Sequence, residues 1–171
     1  MKKDRLYNII FPIWMILWLP TPFWFVLIPA NYLLDTLVLY LSLGRKERFW
    51  KLSSQYGTGI CIRGFLSDFI GALLLFGIMM FIDNAIPKQD WTLELANGIS
   101  MNPFKDVPSF LIVLFCITVS GLCIYLLDKR YLTKKGMEAA QAKRSALLLA
   151  VVTAPYLYLV PYHVLEQMLF H

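Results

Sequence analysis

Two aspartates, an asparagine and an arginine lie within or beside stretches that are otherwise apolar. Asp35 follows Asn31 by one helical turn, so both side chains would share one face of a helix. Asp68 lies in a second apolar stretch, with Arg63 at its boundary. A carboxylate inside hydrocarbon costs about 2.5–3.5 kcal/mol on insertion scales, so such a residue normally faces protein or water. Asn31, Asp35, Arg63 and Asp68 are therefore the candidate functional residues.

Three kinds of chemistry fit this set, and the sequence leaves all three open. The carboxyl groups of Asp35 and Asp68 could pair with Arg63, Asn31 or backbone groups and fix the packing of helices. They could handle protons or cations in a small transporter or channel. They could also serve as acid and base in an intramembrane hydrolase. Neither aspartate stands in the GxGD motif typical of membrane aspartyl peptidases.

Other residue types that often build sites form no recognisable pattern. The three cysteines contain no CxxC pair. His163 and Glu166 supply two ligands where a metal site needs three or four. Gly57-Thr58-Gly59 lacks the lysine of a phosphate-binding loop and is interpreted as a turn. We expect no cofactor, no metal and no catalytic residue, and an enzyme is not the favoured interpretation.

The composition indicates that most of the chain lies in lipid. Of its 171 residues, 58% are hydrophobic and 16% are charged, whereas soluble domains carry about 25% charged residues. The net charge of +5 does not indicate nucleic acid, because the basic residues lie in short segments between apolar stretches, where membrane orientation explains them. We predict a single integral membrane domain over residues 1–171 with the lipid bilayer as its partner.

The spacing of the apolar stretches predicts an all-α, polytopic transmembrane bundle. Four stretches suit one full span each: 22–43, 65–82, 110–127 and 145–162. The segment before Pro20 would make a helix of only about 21 Å. It is therefore predicted to be a short or re-entrant N-terminal arm, which gives five passes.

Clustered lysine and arginine residues predict the orientation. They fall in the N-terminal tail, after Leu43, and between the last two spans, and such clusters mark cytoplasmic segments. The chain is expected in the cytoplasmic (inner) membrane, with a cytoplasmic N-terminus and an external C-terminus. Segment 83–108 is then external, with a short surface helix that ends at Asn97-Gly98.

Small residues on two predicted spans favour close helix packing. They are Gly64, Ser67 and Gly71 on one span, and Ala146, Ala150, Thr153 and Ala154 on another. The partner helix could belong to this chain, to a second copy or to another membrane protein. The favoured function is therefore a non-enzymatic accessory or assembly subunit that acts through helix packing. A proton- or cation-linked transporter or channel, and a two-aspartate hydrolase, are the alternatives.

Several short motifs give the chain a resemblance to known sequences. They are Phe11-Pro12-Ile13-Trp14, Leu27-Ile28-Pro29-Ala30-Asn31 with Asp35, Gly64-Phe65-Leu66-Ser67-Asp68, Met101-Asn102-Pro103-Phe104-Lys105 and Thr153-Ala154-Pro155-Tyr156. In these motifs the chain resembles uncharacterised small multi-span membrane proteins of Gram-positive bacteria. The resemblance implies a bacterial cell membrane as the location and supplies no activity or catalytic residue.

Overall fold

The computed structural model describes residues 24–45, 47–87 and 89–164, and these residues are helical with no β-strand. The predicted arm before Pro20, Glu166 and the C-terminus lie outside the described residues. Six α-helices follow one another along the described chain: α1 (Trp24–Ser42), α2 (Phe49–Leu52), α3 (Thr58–Ala85), α4 (Asp90–Met101), α5 (Val107–Lys134) and α6 (Ala139–Val152). Short 3₁₀ turns follow α4 at Pro103–Lys105 and α6 at Tyr156–Leu159.

Three helical segments are long and apolar enough to cross a membrane, which indicates a membrane protein. They are α1, the continuous segment Phe49–Asn84 that contains α2 and α3, and α5. The second segment has 36 residues and is about 54 Å long at 1.5 Å per residue. It therefore extends beyond a hydrocarbon core of about 30 Å.

The expected fourth span differs from the helix that the structure contains. Instead of a helix over 145–162, α6 runs over Ala139–Val152. Its 14 residues reach only about 21 Å, so four full spans are not confirmed. The helix ends because Pro155 has no backbone N–H to continue the hydrogen-bond ladder, and the chain turns into the 3₁₀ segment that begins at Tyr156.

Two predicted breaks in regular structure are wrong. Gly57-Thr58-Gly59 is not a turn, because a π-helical segment, Ser53–Gly57, joins α2 to α3 without interruption. Asn97-Gly98 does not end the surface helix, which continues to Met101. Gly98 is instead a contact point, since a Cβ there would overlap the Ser109 side chain of α5.

The four longer helices pack in a ring. α1 contacts α3 and α6, and α5 contacts the same two helices from the other side. One buried cluster lies near the turns that follow α1 and α5: Val38, Leu39, Leu52, Tyr56, Ile60, Ile124, Leu132, Met137, Ala142, Leu149 and Ala150. A second buried cluster reaches α4: Ala72, Leu75, Ile82, Ile99, Val113, Cys116, Ile117 and Tyr158.

Candidate functional site: buried carboxyl groups

Three aspartates, one from each candidate span, are buried within the ring of helices. Asp35 of α1 is 1% exposed, Asp68 of α3 is 9% exposed, and Asp128 of α5 is fully buried at 0%. Asp35 lies within electrostatic range of both other carboxyl groups. The interior of the bundle therefore holds a cluster of acidic groups contributed by three separate elements.

Asp35 faces α3 and the end of α6. Asn31, one turn earlier on α1, donates its Nδ2 to Asp35 Oδ2 at 3.4 Å. A Cβ at Gly64 of α3 would lie 3.5 Å from each of these two atoms, so the missing side chain leaves room for the pair. Thr153, just after α6, lies close to the same carboxyl group, and its hydroxyl donates to the Leu149 carbonyl at 2.9 Å. Asp35 thus meets α3 one turn before Asp68.

Asp68 is fixed between α3, α5 and the segment that follows α6. Ser120 of α5 donates its hydroxyl to Asp68 Oδ1 at 3.1 Å. Tyr158 donates its hydroxyl to the Asp68 backbone carbonyl at 2.6 Å. Gly71 lets α5 come close at this level, because a Cβ there would lie 3.1 Å from Ser120 Cβ. Within the described ranges, no residue donates a hydrogen bond to the second carboxyl oxygen, Oδ2.

Arg63 lies near the acidic cluster but forms no ion pair with it among the described residues. Its Nη1 donates to the Gly59 carbonyl at 2.6 Å, and its guanidinium carbon lies 3.9 Å from the centre of the Tyr131 ring. The described ion pair, Lys51 with Glu47, is at the surface instead. Arg63 is within electrostatic range of Asp128, so it attracts that carboxylate at long range without a direct ion pair among the described residues.

Asp128 is the functional candidate that the sequence interpretation missed. Both of its carboxyl oxygens are buried and accept no hydrogen bond from any described residue. Because Lys129 and Arg130 follow it directly, Asp128 looks like part of a cytoplasmic loop. Its register gives the better signal, since it continues the buried face of α5 formed by Val113, Ile117, Ser120 and Ile124.

A cavity of about 280 Å³ opens beside Asp68. Its walls come from α1, from α3 and from the chain that follows α6 at Pro155. Asn31 and Asp68 line it together with apolar and aromatic side chains, whereas Asp35 does not. The end of α6 therefore creates the space through which a ligand or water could reach one of the three carboxyl groups.

Asp35 and Asp68 do not line one common cavity among the described residues. No group of three potential metal-ligating side chains occurs within the described ranges. A two-aspartate hydrolase would need both carboxyl groups at one water-accessible cleft, and the cavity includes Asp68 without Asp35. His163 lies beyond the cavity wall, and its predicted companion Glu166 is outside the described residues.

Comparisons with known proteins identify no relative. No protein-family profile matches the chain, and neither a curated protein nor a solved structure matches it.

Proposed function

We propose that this protein moves protons or small cations through the membrane by way of Asp35, Asp68 and Asp128. One observation carries the proposal: each candidate span contributes one buried carboxyl group, and none is ion-paired to a described lysine or arginine. Ionisable groups inside a membrane are costly and usually mark an ion pathway or a proton relay. Packing gives no reason for Asp128, whose carboxyl oxygens accept no hydrogen bond from the described residues.

The order of the three groups supports a path. Asp68 lines the cavity, Asp35 lies within electrostatic range of it, and Asp128 lies within range of Asp35. Asp128 is also less than two turns from the basic end of α5 at Lys134. A proton entering at the cavity would thus meet three successive acceptors before it reaches the end that carries the basic loops.

An accessory or assembly role through helix packing is the second candidate. The observation in its favour is the broad apolar surface, which includes Phe25, Phe81, Leu111 and Phe115, each more than half exposed. The small-residue stripes do not add to this support, because Gly64 and Gly71 contact α1 and α5 of the same chain. Co-purification in a mild detergent tests this role, and a strictly monomeric particle with no partner would count against it.

The proposed function can be tested on the purified protein in liposomes. Valinomycin and a potassium gradient provide the driving voltage, internal pyranine reports protons, and radioactive sodium reports cations. We expect flux well above that of empty liposomes, and at least a tenfold loss in Asp35→Asn and in Asp68→Asn. Glu94→Gln is the matched control, because Glu94 is an exposed carboxylate on α4.

Two results would remove the proposal. One is a parent protein that conducts no more than empty liposomes. The other is unchanged flux in both Asp35→Asn and Asp68→Asn when gel filtration shows that these variants fold. Flux that falls equally in Glu94→Gln would also count against a dedicated path.

A further inference from the structure

We propose that the cavity beside Asp68 binds a monovalent organic cation with an apolar body. This inference rests on the proposed function, because it places a ligand at Asp68, the end of the same carboxyl path that lines the cavity. It goes beyond that function by assigning a binding site and a chemical class of ligand.

The shape and lining of the cavity indicate an apolar ligand. Its volume of about 280 Å³ is close to the lower limit for small-molecule sites. Leu27 and Leu34 of α1, Phe65 of α3 and Leu157 after α6 form most of the wall. Moving the apolar body of a ligand from water onto these side chains favours binding through the hydrophobic effect.

The three hydroxyl groups of the wall donate to carbonyl groups within the protein. The Thr153 hydroxyl donates to the Leu149 carbonyl, the Tyr156 hydroxyl donates to the Val151 carbonyl, and the Tyr158 hydroxyl donates to the Asp68 carbonyl. Asn31 donates to Asp35. The wall is therefore poorly suited to a sugar or another ligand with many hydroxyl groups.

The remaining polar feature is the carboxyl group of Asp68. Ser120 occupies Oδ1 and leaves Oδ2 to meet a ligand, and no basic side chain is among the described residues that line the cavity. A cation in this space would neutralise the carboxylate, and the faces of Phe65 and Tyr156 would add cation–π attraction. An anion or a zwitterion would meet no basic side chain for its negative group among the described residues that line the cavity.

The experiment compares two ligands of nearly the same shape. Benzyltrimethylammonium carries a permanent positive charge, and neopentylbenzene is its uncharged carbon analogue. Binding of each is measured by equilibrium dialysis against the full-length protein in nanodiscs. We expect the cation to bind at least tenfold more tightly than the neutral analogue. Asp68→Asn should remove that preference, and Glu94→Gln should keep it.

A second variant keeps the test independent of the carboxyl group. Leu157→Trp adds bulk to the cavity wall and should weaken binding of both ligands at least tenfold, with gel filtration as the check of folding. Equal binding of cation and neutral analogue, no binding of either, or unchanged binding by Leu157→Trp would overturn the inference. Binding needs no gradient, so cation binding without flux would refute the proposed function alone, and flux without binding would refute this inference alone.

Discussion

At the scale of single residues, the acidic side chains decide what this bundle can do. Asp35 and Asp68 could be recognised from the sequence because each interrupts an apolar stretch. The residues that contact these carboxyl groups could not be recognised from the sequence. Ser120 lies beside Asp68 and Thr153 lies beside Asp35, but each is far from its aspartate along the chain. Asp128 was not recognised as a buried residue, because the lysine and arginine that follow it are typical of a cytoplasmic loop. Extending the pattern of buried positions in α5 from Ile124 by one more turn would have identified Asp128.

The unpartnered carboxyl group of Asp128 predicts a stabilising substitution. Leucine keeps the branched shape of aspartate, with a larger methyl group in place of each oxygen, and it removes two buried oxygens that accept no hydrogen bond from the described residues. We expect Asp128→Leu to raise the free energy of unfolding by about 1–3 kcal/mol, measured by thermal unfolding in detergent, while it lowers ion flux. Asp68→Leu should lower the free energy of unfolding, because it leaves the buried Ser120 hydroxyl without its acceptor. A lower free energy of unfolding in Asp128→Leu would contradict the conclusion that the Asp128 carboxyl group makes no stabilising hydrogen bond.

Gly59 leaves room for the Tyr131 ring, on which the guanidinium group of Arg63 is stacked. A Cβ at Gly59 would overlap the Tyr131 ring, on which Arg63 is stacked. Gly59→Ala should therefore destabilise the protein by about 1–3 kcal/mol through overpacking, and a second substitution, Tyr131→Ala, should remove most of that effect. Gly77→Ala is the matched control, since nothing lies near its side-chain position, and α-helix propensity predicts a small gain in stability. Additive effects of the two substitutions would rule out the contact.

At the scale of elements, tertiary contacts changed boundaries that local signals had suggested. The Asn-Gly pair in α4 has the composition of a helix end, yet α4 continues because Gly98 lets α5 approach. The end of α6 was readable from Pro155, but the apolar composition around it favoured one long span. Local sequence thus predicted helices over the apolar parts of α1, α3 and α5, but it did not predict α2, and packing carried α4 past its Asn-Gly pair.

The start of α5 depends on a side-chain cap. Asp106 Oδ1 accepts the Ser109 backbone N–H at 2.7 Å, and Oδ2 accepts the Ser109 hydroxyl at 2.9 Å. Asp106→Ala should lower the free energy of unfolding by about 1–2 kcal/mol. Asp106→Asn keeps an acceptor for the backbone N–H and should lose less than half as much in the same thermal unfolding assay. Equal losses would mean that the charge, and not the cap, stabilises this end.

At the scale of the whole molecule, the two described basic segments lie at one end of the bundle. Leu43 and Glu47, after α1, line the same surface cleft as Gly136 and Glu138, after α5. α4 packs at the other end, where Ile99 joins Ile82 and Val113. This arrangement agrees with the charge pattern, which predicts that the basic end is cytoplasmic. Which side each end occupies stays a prediction.

Labelling with a membrane-impermeant maleimide tests the orientation. In a background where all three cysteines are replaced by serine or alanine, single cysteines are placed at Arg45, Lys134 and Glu94. We expect labelling from outside intact cells only at Glu94, and labelling at the other two positions only after permeabilisation. Opposite sidedness of Arg45 and Lys134 would overturn the membrane topology, and with it the depth assigned to each carboxyl group.

The position of Thr153 beside Asp35 has a consequence for biosynthesis. The carboxyl group on α1 leaves the ribosome more than one hundred residues before the segment that covers it. During translation, α1 and α3 must therefore enter the bilayer with a polar face still open. An insertase or membrane chaperone that shields such faces should crosslink to nascent chains halted before Ala139 and release those extended beyond Pro155.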